Sequence, residues 1–197
     1  PSSTKNRNEI LWELPGQRGD TKGKEMTEIT PYAIGDWVVH HAYGIGQIKK
    51  IEEKTLHGES LECFRVKSKG NTSWWFPRSE VDNPRIRPIA SLKVLKRAQN
   101  ELQKTIRSLE PDRNMWRQRI DEVRAGDDLI ATSQLVRDLT ILKSQRKLNQ
   151  TESKALDHFT DRLLREWSAT LNTDIETIRP KLNQDLQACS ERAEIQP

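Results

Sequence analysis

IGDWVVHHAYGIGQIKKIEEKTLHGE, residues Ile34 to Glu59, alternates apolar and polar side chains, breaks at Gly44 and Gly46, alternates again and breaks at His57-Gly58. Val38 and His40 face one way and Val39 the other, while Ile48 and Ile51 follow the glycines. Alternation bounded by glycine reads as short, half-buried strands of a small antiparallel barrel. Gly35-Asp36 is turn chemistry ahead of a strand. Gly44 and Gly46 permit backbone angles closed to other residues, and Gly58 suits a hairpin between strands ending near Thr55 and starting near Ser60.

Working outward, the chain falls into three parts. Residues 1–30 are polar, rich in Lys, Glu, Thr and Gly, and without periodicity, which predicts a disordered tail with Trp12 as an incidental aromatic. Residues 31–90 form the barrel; Pro77, Pro84 and Pro88 punctuate its end, and Arg85-Ile86-Arg87 reads as a last edge strand. Residues 91–197 carry no strand pattern and read as about five helices. Ser91 opens a helix to about Leu109. Asp112 caps the next, to Ala125, with Gly126 as the C′ residue after it. Asp127 then caps a third, to about Lys147. Asn149 with Glu152, and Thr173 with Glu176, have the spacing of capping boxes. Leu156, Phe159, Leu163 and Trp167 recur on one helical face, and Leu135, Val136, Leu139 and Leu142 make the matching stripe one helix earlier. Pro180 predicts a short or kinked final helix. The fold class is therefore α+β, a small barrel followed by a compact helical bundle.

Composition narrows the function. A length of 197 residues with 34% hydrophobic content allows one or two small domains. The mean hydropathy of −0.84 describes a surface-rich chain. No apolar run approaches the roughly 20 residues that cross a membrane, and no secretory pattern is present. The chain opens on Pro1, not Met, which leaves the position of the natural N-terminus open. Cys63 and Cys189 lie in different halves and read as free thiols of a reducing cytoplasm.

Charge is uneven. The net charge is only +4, but residues 91–119 hold eight Lys or Arg against three acids, and residues 120–197 hold eleven against fourteen. A basic stretch is the footprint expected against phosphate, although charge runs are more often a solvated face. On a helical wheel Arg113, Arg117 and Arg124 lie within about 40° of one another beside Trp116. An indole among guanidinium groups suits a nucleic-acid edge. Trp116, Ile120 and Val123 are also spaced i, i+4, i+7, so the ring could equally be core. Trp74 and Trp75, adjacent on a strand, must face opposite ways, one into the core and one outward. Gly44-Ile45-Gly46 is no dinucleotide fingerprint, since no strand-to-helix change follows. His40, His41, His57 and Cys63 lack metal-ligand spacing. No catalytic arrangement, metal site or cofactor motif stands out, which points away from an enzyme.

Gly35-Asp36, Val38-Val39, Gly44, Gly46, Ile51-Glu52, Gly58-Glu59 and Trp74-Trp75-Phe76-Pro77 together resemble the CarD/CdnL family of bacterial RNA-polymerase-binding transcription factors. Their N-terminal module also occurs in transcription-repair coupling factors. Trp116, Gly126-Asp127, Arg137-Asp138-Leu139 and Asn149 to Glu152 are similar to the family's helical half, so the resemblance covers about residues 31–187. It implies a Tudor- or SH3-like barrel that docks edge-to-edge on the polymerase β subunit. Lys54 stands where the family often has an arginine contacting acidic polymerase residues, and Trp74 and Trp75 belong to the same surface. It also implies that Trp116 is exposed and wedges at the upstream fork of the melted promoter, with Arg113, Arg117, Arg119 and Arg124 on the DNA. The protein so implied is a cytoplasmic, nucleoid-associated monomer that stabilises the open complex with little sequence preference. His40-His41 departs from the aromatic or proline residues usual there, and Asp121 from a basic one. Two other readings stay open: a protein–protein adaptor that never touches DNA, and the docking piece of a repair-coupling translocase, against which the lack of a GxxxxGK[ST] loop counts.

Overall fold

A computed structural model describes residues 31–56, 59–68, 72–80, 83–106, 109 and 112–194. The tail expected over residues 1–30, Trp12 within it, and the hairpin tip at His57-Gly58 lie outside the described residues. Five strands are formed: β1 (Trp37–His40), β2 (Gly44–Leu56), β3 (Glu59–Ser68), β4 (Ser73–Pro77) and β5 (Ile86–Pro88). They make one antiparallel sheet in the order β4-β3-β2-β1-β5. A bulge between Ile48 and Lys50 interrupts the β2–β3 ladder. The extra residue resets the alternation, so Ile48 and Ile51, three apart, both reach the sheet core. That core gathers Tyr32, Val38, Phe64, Val66, Trp74, Phe76 and Ile86, with Tyr32 edge-on to Phe76 at 5.8 Å.

The sheet is open, which corrects the expected closed barrel. Closure needs a ladder between its two edge strands, and β4 and β5 do not pair. β5 is three residues long and ends on Pro88, which has no N–H to donate. The two turn glycines also differ in role. Gly44 has φ +70° and needs its freedom. Gly46 does not; a Cβ there would stand 2.5 Å from Val66 Cγ1, so its reason is space. His40 holds this turn, its Nδ1 accepting from the amides of Ala42 (3.0 Å) and Tyr43 (3.2 Å).

Five helices follow: α1 (Leu92–Leu102), α2 (Arg113–Gly126), α3 (Leu129–Gln145), α4 (Gln150–Thr170) and α5 (Ile175–Glu194). Ser91, Asp112 and Asn149 cap as expected, and the Asn149–Glu152 capping box is complete. Both apolar stripes are buried in one helical core with Trp116, Ile120 and Val123. Three boundaries differ. α1 stops at Leu102, where Arg137 of α3 donates to the Glu101 carbonyl at 2.9 Å and so satisfies an end that would otherwise propagate. α5 begins one residue later than the Thr173–Glu176 spacing implied and runs through Pro180 for 20 residues. Between α2 and α3 the left-handed residue is Asp127 (φ 50°), not Gly126, and Asp128 caps α3.

Asp127 is displaced from the capping role because its side chain is used elsewhere. The sheet meets the helices at a cluster of four charges. Arg87 of β5 grips both Glu166 oxygens, at 2.6 and 2.9 Å, and its Nε donates to the Asp127 carbonyl at 2.9 Å. Arg162 of α4 pairs with the Asp127 carboxylate. The Ala90 amide donates to Glu166 at 2.8 Å, and the Thr170 hydroxyl donates to the Ala90 carbonyl at 3.2 Å. Beside this cluster, Val39 and Ile45 are buried on the sheet face opposite the sheet core, and Ile45 lines clefts shared with Arg165 and Ser168 of α4.

Candidate functional site

Two surfaces stand out, one on each half. On the sheet, Lys50, Arg65 and Trp75 lie in register across β2, β3 and β4. Trp75 is half-buried, and its indole N–H donates to Glu52 at 2.6 Å. Lys54 places its ammonium 4.0 Å from the centre of the same ring, and the Arg65 guanidinium lies 5.7 Å from it. Glu52 also pairs with Lys50. The hydrogen bonds from Lys50 and then Trp75 hold the Glu52 carboxyl below the ordinary carboxylate range, so it stays charged. The result is a flat aromatic platform carrying three cations, with one carboxylate fixing the ring. Trp74 points the other way, is 5% exposed and fills the sheet core. The alternation thus holds, and the outward ring is Trp75 alone. Cys63 is buried, and that burial first of all raises its thiol above the ordinary range.

The platform borders an open strand edge. The Ser68 amide bonds the Thr72 carbonyl and the Arg78 amide bonds the Glu62 carbonyl. Antiparallel geometry therefore turns Trp74 and Phe76 toward β3. The main-chain groups of Ser73, Trp75 and Pro77 point away from the sheet. Pro77 has no N–H, so this edge offers two amide donors, at Ser73 and Trp75.

The second surface is α2. The structure corrects the expectation of an exposed indole: Trp116 is 1% exposed and belongs to the helical core. The i, i+4, i+7 stripe with Ile120 and Val123 decides its direction, because a buried ring gains more than a solvated one. The five residues predicted to act together are likewise divided. Arg119 lies 5.5 Å over the Trp116 ring and pairs with buried Asp138 at 2.6 Å, which ties it to α3. Arg124 pairs with Asp121 at 2.7 Å. Arg113 and Arg117 are exposed and form no ion pair among the described residues. Met115, 49% exposed, is an apolar side chain that sequence reasoning passed over, but the helical period turns it to the opposite side of α2 from Arg113 and Arg117. Arg113 and Arg117 share a shallow hollow with Asn149, Gln150 and Thr151 at the start of α4. Glu152 in that turn is neutralised by Arg146 at 2.8 and 2.9 Å, whose hydrogen bonds hold its carboxyl below the ordinary range.

Among the described residues no group of three or more His, Cys, Asp or Glu side chains could hold a metal ion, and no helix is long and apolar enough to cross a membrane. Sequence reasoning also missed Arg87, Arg162 and Glu166. The available signal was the Arg162–Glu166 pair flanking the stripe of Leu163 and Trp167, which in isolation reads as an ordinary solvated i, i+4 pair.

Two family models match this chain. Residues 32–90 match the family model described as CarD-like/TRCF RID domain, and residues 93–183 match that described as CarD, C-terminal domain. YdeB of Bacillus subtilis (strain 168), named a candidate transcription factor, is 30% identical over 141 residues, spanning 68% of this chain and 89% of the relative.

Proposed function

Since the chain belongs to the CarD family of transcription regulators, we propose that it docks on the RNA polymerase β subunit through its open sheet edge and holds promoter DNA against α2. The observation that carries this is the contrast between the two exposed surfaces. An edge strand with free amides beside a half-buried tryptophan suits strand addition by a protein partner, with main-chain bonds giving affinity and the ring giving a hot spot. Lys50, Lys54 and Arg65 around that ring favour an acidic partner surface. Unpaired arginines beside a helix N-terminus suit phosphate instead.

On DNA, Arg113 and Arg117 neutralise phosphates at the upstream edge of the melted region. No bond is made or broken. Holding the strands apart lowers the free energy of the open complex, and the protein regulates by shifting that equilibrium. Phosphate contact carries no base identity, so sequence preference is slight.

The test is the lifetime of the open complex on a labelled promoter, with the full chain and with Arg113→Ala/Arg117→Ala. The chain should lengthen the lifetime and the double variant should lose most of that effect while still binding polymerase. Equal lifetimes with and without the wild-type chain overturn the reading. A longer lifetime that the double variant retains in full would favour an adaptor acting without DNA contact.

A further inference from the structure

The two halves have separate cores. Among the described residues none belongs to both the sheet cluster and the helical cluster, so no shared apolar interior among them fixes one half against the other. What joins them is a small aliphatic contact at Val39 and Ile45, and the cluster of Arg87, Asp127, Arg162 and Glu166. We infer that these four charged residues are positioning residues, a clasp that sets one separation and orientation between the open edge of β4 and the basic face of α2. This rests on the two-surface function proposed above.

Three features support it. Glu166 is 1% exposed and takes N–H donors from Arg87 of β5 and from the amide of Ala90 in the connection between β5 and α1. A buried carboxylate with directional donors tolerates one arrangement, whereas Val39 and Ile45 could slide without loss. Arg162 is 9% exposed, and its burial, then the neighbouring Arg87, pull its guanidinium below the ordinary arginine range, with Glu166 acting the other way; the Asp127 carboxylate lies against it. Asp127 itself adopts a left-handed conformation that disfavours any side chain, although Gly126 stands beside it. Backbone strain of this kind persists where the side chain is needed, and here the carboxylate reaches Arg162 and its carbonyl reaches Arg87. The functional consequence is arithmetic. Two modest contacts act as one strong contact only while the link between them keeps both in reach, and a loose link lowers the effective concentration of the second.

The test uses Asp127→Gly and Arg87→Ala in the full chain. Glycine suits the left-handed angle, so that variant keeps its backbone even if Arg87→Ala folds poorly. Nitrogen-15 relaxation should give the wild-type sheet and helical amides one common rotational correlation time. In Asp127→Gly the two halves should separate into two times, with circular dichroism unchanged. A single time in the variant, or two times already in the wild type, overturns the clasp. In the lifetime assay Asp127→Gly should lose roughly tenfold of the effect, with unchanged polymerase capture and unchanged affinity for duplex DNA. Decoupled tumbling with a full lifetime effect would overturn the positioning role. A wild-type chain without any lifetime effect would sink the parent function, while the relaxation data would still decide the clasp.

Discussion

The sheet and the helical bundle use tryptophan in opposite ways. On β4 a period of two sends Trp74 inward and leaves Trp75 on the outer face, braced by Glu52 and covered by Lys54. In the bundle Trp116 and Trp167 are both sealed inside, at 1% and 0% exposure. A strand must give one of two neighbours to solvent, whereas a helix can hide a large ring wherever the stripe passes. The sheet therefore meets the outside with an aromatic surface whose charges are partly answered from within. The face of α2 beside the start of α4 meets it with Arg113 and Arg117, which form no ion pair among the described residues. In the proposed function the first kind of surface would bind by apolar contact and main-chain pairing, with its cations adding a salt-sensitive share. The second, on the proposed function, would bind by counterion release and depend on salt more steeply.

The sharpest way to break this contrast is Trp116→Ala. A sealed indole should cost about 3–5 kcal/mol of helical stability, read as a large fall in melting temperature. A change below about 1 kcal/mol would mean the ring is not core and would reopen its role at the DNA. The matching change on the sheet, Trp75→Ala, should leave the melting temperature nearly unchanged. It should weaken polymerase association by about 2 kcal/mol in a calorimetric titration. A stability loss as large as that of Trp116→Ala would place Trp75 in the core too and erase the difference. Next in size, Arg113→Ala/Arg117→Ala should lower the slope of log affinity against log salt for duplex DNA by about 0.9 per arginine, whereas Trp75→Ala should leave that slope alone. An unaltered slope in the double variant would remove α2 from the DNA.

The smallest effect is a pH dependence. Burial first, then the charges of His41 and Arg85, depress the proton affinity of His40. Below the ordinary histidine value of about 6.5 the unfolded chain takes up a proton that the folded turn refuses, so stability is lost as pH falls through that range. Nδ1 is the acceptor for two turn amides, so protonation there breaks both bonds. His40→Asn should flatten the dependence of the β1–β2 turn's amide protection between pH 7 and 5, and an equally steep profile in that variant would assign the effect to another group.

Much of this was legible beforehand because it is written in local periodicity. The strands around Gly44 and Gly46, the caps Ser91, Asp112 and Asn149, and the stripe from Leu156 to Trp167 all depend on residues within a few positions of one another. Alternation alone said that Trp74 and Trp75 face opposite ways; that Trp75 is the outward one, and that Trp74 is not on the surface, came from the packing. The failures share a different cause. α1 ends early because Arg137, 36 positions away, reaches its carbonyl. Asp127 leaves its expected cap because Arg87 and Arg162 claim it. Spacing left Trp116 balanced between two readings, the resemblance tipped it to the exposed one, and the packing of α2 on its neighbours overturned that by sealing the ring inside. Long-range partners leave no spacing to read, and an arginine pattern looks the same whether its carboxylate is near or absent. That is why five cations and rings were grouped on α2 and only Arg113 and Arg117 emerged unpaired.

Pro77 has a last consequence. It ends β4 at five residues and withholds the amide that would have been the third donor along that margin. Two remaining donors suffice for a short visiting segment whose side chains also engage the neighbouring ring. They are too few to template stacking of this protein on its own copies, so the same imino acid that shortens the recognition strip guards the chain against fibre-like self-association.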